Sequence, residues 1–76
     1  MSRLPILAAR EVLRALGRAG FQVVSQRGSH IKLRGERKGQ ARTVIVPNYG
    51  EIPRGVLASI LRQAGMTRDE FQDLLG

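Results

Sequence analysis

Cysteine is absent from this chain. That excludes disulfides, thiolate zinc sites and a cysteine nucleophile, and it suits the cytosol. Tryptophan is absent as well, and there is one tyrosine, Tyr49, with two phenylalanines, Phe21 and Phe71, that read as core. No aromatic stacking platform is evident. Apolar runs are far too short to cross a bilayer, which takes roughly 20 residues. The opening "MSRLPILAAREVL" returns to charge after a brief apolar patch and makes a poor signal peptide. A cytoplasmic, non-membrane protein is therefore expected. Acidic residues are scarce, six against 13 Lys/Arg. The six carboxylates form no obvious acid–base pair. With a single histidine, His30, they also give no metal-ligand cluster. There is no phosphate-binding loop and no dinucleotide fingerprint, because the glycines stand at turns and helix ends. No cofactor is expected.

What is present is positive charge. The net charge is +7, and such an excess points to a polyanionic partner, nucleic acid first and an acidic protein second. Residues 1–66 hold 12 Lys/Arg against three Asp/Glu, for +9; residues 67–76 hold one Arg against three acids, for −2. Arg27, Lys32, Arg34, Arg37, Lys38 and Arg42 crowd into 27–42 with only Glu36 opposing them. His30 sits among them.

The 76 residues read as one domain with a small core. In "AAREVLRALGRAGF", Ala9, Val12, Leu13, Leu16 and Ala19 recur at helical spacing, with Arg10, Arg14 and Arg18 on the other side. Gly20 is the stop. Gly17 costs up to about 1 kcal/mol relative to Ala, which suggests close packing against a neighbour. "FQVVSQ" and "HIKLR" read as two strands around a Gly-Ser turn. "GERKGQA" reads as a polar loop, and "RTVIVP" as a third strand ended by Pro47. Leu57, Ile60, Leu61 and Ala64 give a core-facing helical stripe ended by Gly65. Thr67 and Glu70 form a capping box that opens a short third helix through Leu75, anchored by Phe71 and Leu74. The expectation is an α+β fold: α-β-β-β-α with a three-stranded antiparallel sheet, helices on one face, and a short C-terminal helix.

Strand alternation sets the direction of His30. Ile31 and Leu33 belong on the helix-covered face, so His30, Lys32 and Arg34 line the open one. Ser29 precedes His30 directly, so their side chains diverge and no Ser-His pair forms. A spectator, an RNA contact and a catalyst all remain possible for this histidine. RNA chemistry needs no metal, because the 2′-hydroxyl is a built-in nucleophile. An imidazole can shuttle the proton, Gly28 lets the backbone approach a phosphate, and Lys32 and Arg34 can stabilise the added negative charge. No second acid or base is identifiable.

The blocks "GFQVVSQRGSH", the "VP" ending the third strand, and "GVLASILRQAG" occur in an order that resembles the HicA (YcfA-like) family of toxin endoribonucleases over nearly the whole chain. The resemblance implies a double-stranded-RNA-binding-domain-like fold and mRNA cleavage with His30 essential. It also implies a HicB-type antitoxin that covers the site. The RNA contacts expected around His30 are Arg27, Gly28, Ser29, Lys32, Arg34 and Lys38. The chain departs from the family at Ala8-Ala9, where relatives carry a polar capping pair; Ala is a poor N-cap and loosens the helix entry. Without catalysis, the same residues would make a non-catalytic RNA-binding module. In either case the sequence is silent on cleavage preference and oligomeric state.

Overall fold

A computed structural model describes residues 4–76. The element order is α1 (Ala9–Arg18), β1 (Gln22–Arg27), β2 (His30–Arg37), β3 (Gln40–Pro47), α2 (Arg54–Ala64) and α3 (Arg68–Leu75). The strands form one antiparallel sheet in the order β1-β2-β3, so β2 is central. This is the expected α-β-β-β-α plan with a third helix, compatible with a double-stranded-RNA-binding-domain-like α+β fold.

The helices cover one face of the sheet. Val12, Leu16, Leu57, Ile60, Leu61 and Phe71 pack with Ile31, Leu33, Val44 and Val46 in one apolar cluster. The helical stripes read from the sequence are the buried ones: Leu57, Ile60, Leu61 and Ala64 of α2 are all inside. Of the two α3 anchors, Phe71 is fully buried and Leu74 packs half-buried at the cluster's edge. Gly65 ends α2 in the left-handed conformation (φ 70°). The Thr67–Glu70 box then opens α3: Thr67 N–H donates to the Glu70 carboxylate (2.7 Å), and Glu70 N–H to Thr67 Oγ1 (3.1 Å).

Three sequence expectations are corrected. The "GERKGQA" segment is not a loop. β2 runs through Gly35-Glu36-Arg37, turns at Lys38-Gly39 and returns as β3 from Gln40, with Arg37 paired to Gln40. Lys38 (φ 52°) and Gly39 (φ 80°) both take positive φ, the type I′ geometry that suits strand twist. Gly35 sits inside β2 because the Phe21 ring lies against its Cα: a Cβ there would come 2.7 Å from Phe21 Cδ2. Gly17, by contrast, packs against nothing, since no atom lies within 4 Å of the position its Cβ would take. Nor is the entry of α1 loose. Ala8 offers no side-chain cap, but its N–H donates to the Glu11 carboxylate (2.9 Å) and Ala9 N–H donates to the Tyr49 carbonyl (2.9 Å). These bonds satisfy donors that a polar cap would otherwise take.

β1 stands apart. All six of its residues are exposed, and an irregularity between Val23 and Ser25 interrupts its pairing with β2. The helices reach over β2 and β3 but leave β1 as an uncovered edge.

Candidate nucleic-acid interface

The alternation of β2 is strict at its first half: His30, Lys32 and Arg34 are exposed, Ile31 and Leu33 buried. The buried pair fixes the strand's orientation, because a one-residue slip would move both core side chains into water. His30 therefore opens the central strand on the face away from the helices.

Register supplies its neighbours, since directly opposed residues share a face. His30 pairs with Arg27 on β1 and Pro47 on β3; Lys32 pairs with Ser25 and Ile45; Arg34 pairs with Gln22 and Thr43. Ser25, Arg27, His30, Lys32 and Ile45 line an open depression of about 420 Å³. Arg27 stands across from the imidazole. Lys32 and Arg34 follow along β2 at intervals of roughly 7 Å, the two-residue repeat of a strand.

The turn before His30 is held from both sides. Gly28 has φ 54°, consistent with a type II′ hairpin turn carrying Gly at its first central position. Gln26 Nε2 donates to the Gly28 carbonyl (3.1 Å), and Asn48 N–H donates to the Ser29 carbonyl (2.6 Å). His30 thus projects from a fixed backbone. Among the described residues, the His30, Lys32 and Arg34 side chains make no hydrogen bond or ion pair, which leaves their polar groups to solvent or a ligand.

The seven site residues anticipated from sequence are not all together. Arg27, Gly28, Ser29 and His30 share one hairpin end, with Lys32 and Arg34 along the same face. Lys38 lies in the other hairpin turn, at the far end of β2, roughly 25 Å from His30 at strand rise. Sequence reasoning missed Ser25 and Ile45, which only the register brings beside Lys32.

Two other cations of the 27–42 run leave this face. Arg37 and Arg42 are half-buried on the helix side. Arg37 Nη2 lies 3.0 Å from Glu70 Oε2. The Arg42 guanidinium packs against Gly65, where a Cβ would come 2.7 Å from its Cζ. The Glu70 carboxyl is held below the ordinary carboxylate range, first by the Thr67 backbone N–H and then by the Arg37 and Lys38 charges. These groups lock α3 to the sheet.

Among the described residues no group of three or more His, Cys, Asp or Glu side chains could hold a metal ion, and no helix is long and apolar enough to cross a membrane. A family model described as the HicA toxin of bacterial toxin–antitoxin matches residues 9–66. That span runs from the first residue of α1 to just past α2 and includes the whole sheet. Comparison with curated proteins finds no match.

Proposed function

The chain belongs to the HicA toxin family of toxin–antitoxin systems, and on that premise we propose that it is a metal-independent endoribonuclease that cleaves mRNA with His30 as general acid/base. The observation that carries this reading is the placement of His30. It is an unpartnered imidazole on the open face of the central strand, across from Arg27 and in line with Lys32 and Arg34.

The chemistry needs little more. The RNA 2′-oxygen attacks the adjacent phosphorus, the P–O5′ bond breaks, and a 2′,3′-cyclic phosphate and a 5′-hydroxyl result. One proton leaves the 2′-hydroxyl and one reaches the departing 5′-oxygen. His30 handles one of these transfers; the other exchanges with solvent, to which this face is open. Arg27 and Lys32 flank the imidazole and offset the charge gathering on the phosphoryl oxygens. Arg34 holds the next stretch of backbone. Lys38, at the far end of the sheet, meets only a phosphate several nucleotides away.

Membership of the family implies a cognate antitoxin. In this proposal it is a HicB-type protein that covers the His30, Lys32 and Arg34 face with acidic and apolar groups. Association would then be fast at low salt and slower at high salt. A complex that still bound RNA at this face would defeat the occlusion model.

The central test is single-turnover cleavage of a long RNA in the presence of a chelator, beside a thermal melt, for the native protein and His30→Ala. Because His30 is exposed, the variant should fold within about ±0.5 kcal/mol of the native protein and still bind RNA through its cations. Its cleavage rate should fall on the order of 10²-fold or more. A variant that melts normally and cuts at the native rate would make His30 a spectator. A native protein that binds RNA without cutting it would be a binding module.

A further inference from the structure

Phe21 and Phe71 are core residues, 3% and 0% exposed, which leaves Tyr49, 46% exposed, as the one ring offered to solvent. A lone surface tyrosine is unremarkable in itself. Its position and its fastening are what matter here.

Tyr49 stands two residues beyond Pro47, the β3 partner of His30. Paired strand Cα atoms lie about 5 Å apart, and two residues of chain span at most about 7 Å. The Tyr49 Cα is therefore no more than about 13 Å from that of His30. The backbone at this point is tied to three places. Tyr49 N–H donates to the Pro47 carbonyl (2.8 Å), Asn48 N–H donates to Ser29 beside the histidine (2.6 Å), and the Tyr49 carbonyl accepts from Ala9 at the start of α1 (2.9 Å). The ring lies outside the residues lining the cationic depression, at the end of the sheet where His30 stands. A rigidly mounted, half-exposed ring beside a phosphate-binding cleft is preorganised for a flat apolar ligand.

We propose that Tyr49 is a stacking subsite for an unpaired nucleobase flanking the phosphate held at His30, which makes single-stranded or locally unpaired RNA the preferred substrate. The inference rests on the endoribonuclease reading above. The cations hold the backbone, and the ring takes the face of one neighbouring base. A base inside an A-form helix is stacked on its neighbours and cannot lie on the ring, whereas a splayed one can. Stacking accepts every base, so Tyr49 confers a preference for strandedness with little for sequence.

The chain provides its own probe. With one tyrosine and no tryptophan, intrinsic emission excited at tyrosine wavelengths reports on Tyr49 alone. The full chain is titrated with a short unstructured 2′-O-methyl RNA, which lacks the nucleophile and cannot be cut. A perfect duplex of the same sequence is the comparison. Binding is followed independently by the anisotropy of a label on the RNA. The single strand should quench the tyrosine emission in step with binding, and the duplex should bind without quenching it. Tyr49→Leu should lose single-strand affinity by on the order of 5- to 150-fold, the loss expected for one stacked base, while Tyr49→Phe, which keeps the ring, stays near native. In cleavage of unmodified RNA, Tyr49→Leu should raise KM more than it lowers kcat. Single-strand binding with unchanged emission, or a Tyr49→Leu variant that binds and melts like the native protein, overturns the subsite and leaves the endoribonuclease reading standing. Failure of the RNA to bind at all overturns both.

Discussion

Gly35→Ala should destabilise the protein, even though Gly is ordinarily the worse residue inside a strand. Replacing Gly by Ala in an unconstrained strand gains roughly 0.5–1 kcal/mol from backbone entropy. At this position the new methyl meets Phe21. The built Cβ lies 2.7 Å from Cδ2, 2.8 Å from Cγ and 3.1 Å from Cα of Phe21, against an optimal carbon–carbon separation of about 3.5–4.0 Å. Two of those atoms are at the root of the side chain, so a rotamer change cannot remove the clash. The Phe21 backbone cannot retreat freely either, because its N–H donates to the Leu16 carbonyl at the end of α1 (3.0 Å). Overpacking of this kind typically costs 1–3 kcal/mol. After the entropic gain, a net loss of about 1–2 kcal/mol remains, or a fall in Tm of roughly 4–15 °C for a domain this small. Thermal and urea melts measure it. Cleavage per folded molecule should stay native, because Gly35 shares the helix-covered side with Ile31 and Leu33. A double-mutant cycle with Phe21→Leu should show the second substitution costing less in the Gly35→Ala background than alone. A melting point equal to or above that of the native protein would refute the close-approach argument.

Two further outcomes test the charges. Lys32→Ala or Arg34→Ala should weaken RNA binding across sequences and reduce the slope of log affinity against log salt by roughly 0.7–0.9 per lost phosphate contact. Glu36→Ala should not weaken binding, and unchanged affinity and slope in both cation variants would place RNA elsewhere. The lowered pKa of Glu70 sets an acid-side dependence. Its stabilising contribution is fully present above the unfolded carboxyl's pKa and is lost as pH falls through the lower folded value. Melts from pH 6 down to about pH 2 should show Glu70→Gln losing less stability over the acid range than the native protein, and parallel curves would exclude a role for this carboxylate.

The three helices and the parity of β2 were legible because each rests on a local period: three to four residues for Leu57, Ile60, Leu61 and Ala64, two residues for His30 through Arg34. The second hairpin was not legible. Gly35 and Gly39 together look like loop glycines, but they do different jobs. Gly39 completes a two-residue turn with Lys38, while Gly35 makes room for a phenylalanine fourteen positions earlier in the chain, a requirement no local pattern carries. The alternating arms on either side of Lys38-Gly39 were the available signal. The site divides in the same way. The direction of His30 follows from its own strand, but the company of Ser25, Arg27 and Ile45 depends on register across two strand pairs. One of those pairs is shifted at Val23/Ser25. Lys38 joined the expected set through nearness in sequence, and an extended strand turns eight positions of nearness into roughly 25 Å of distance.

The basic run 27–42 likewise looks uniform in sequence but performs two tasks. Even positions of β2, from His30 to Arg34, face solvent and have no partner within the chain. Odd positions, from Ile31 to Arg37, face the helices. Arg37 is consequently half-buried and paired with Glu70, and Arg42, opposite Gly35, lies against Gly65 at the end of α2. Those two cations spend their charge on holding α3 to the sheet. Arg27, Lys32 and Arg34 have no such internal counter-charge, so their mutual repulsion is relieved only by water, salt or a bound anion. A central strand fixed by its buried side can hold like charges on its other side, because its register does not depend on them. That separation is what lets an RNA backbone, or an acidic protein competing for the same face, bind without disturbing the core beneath.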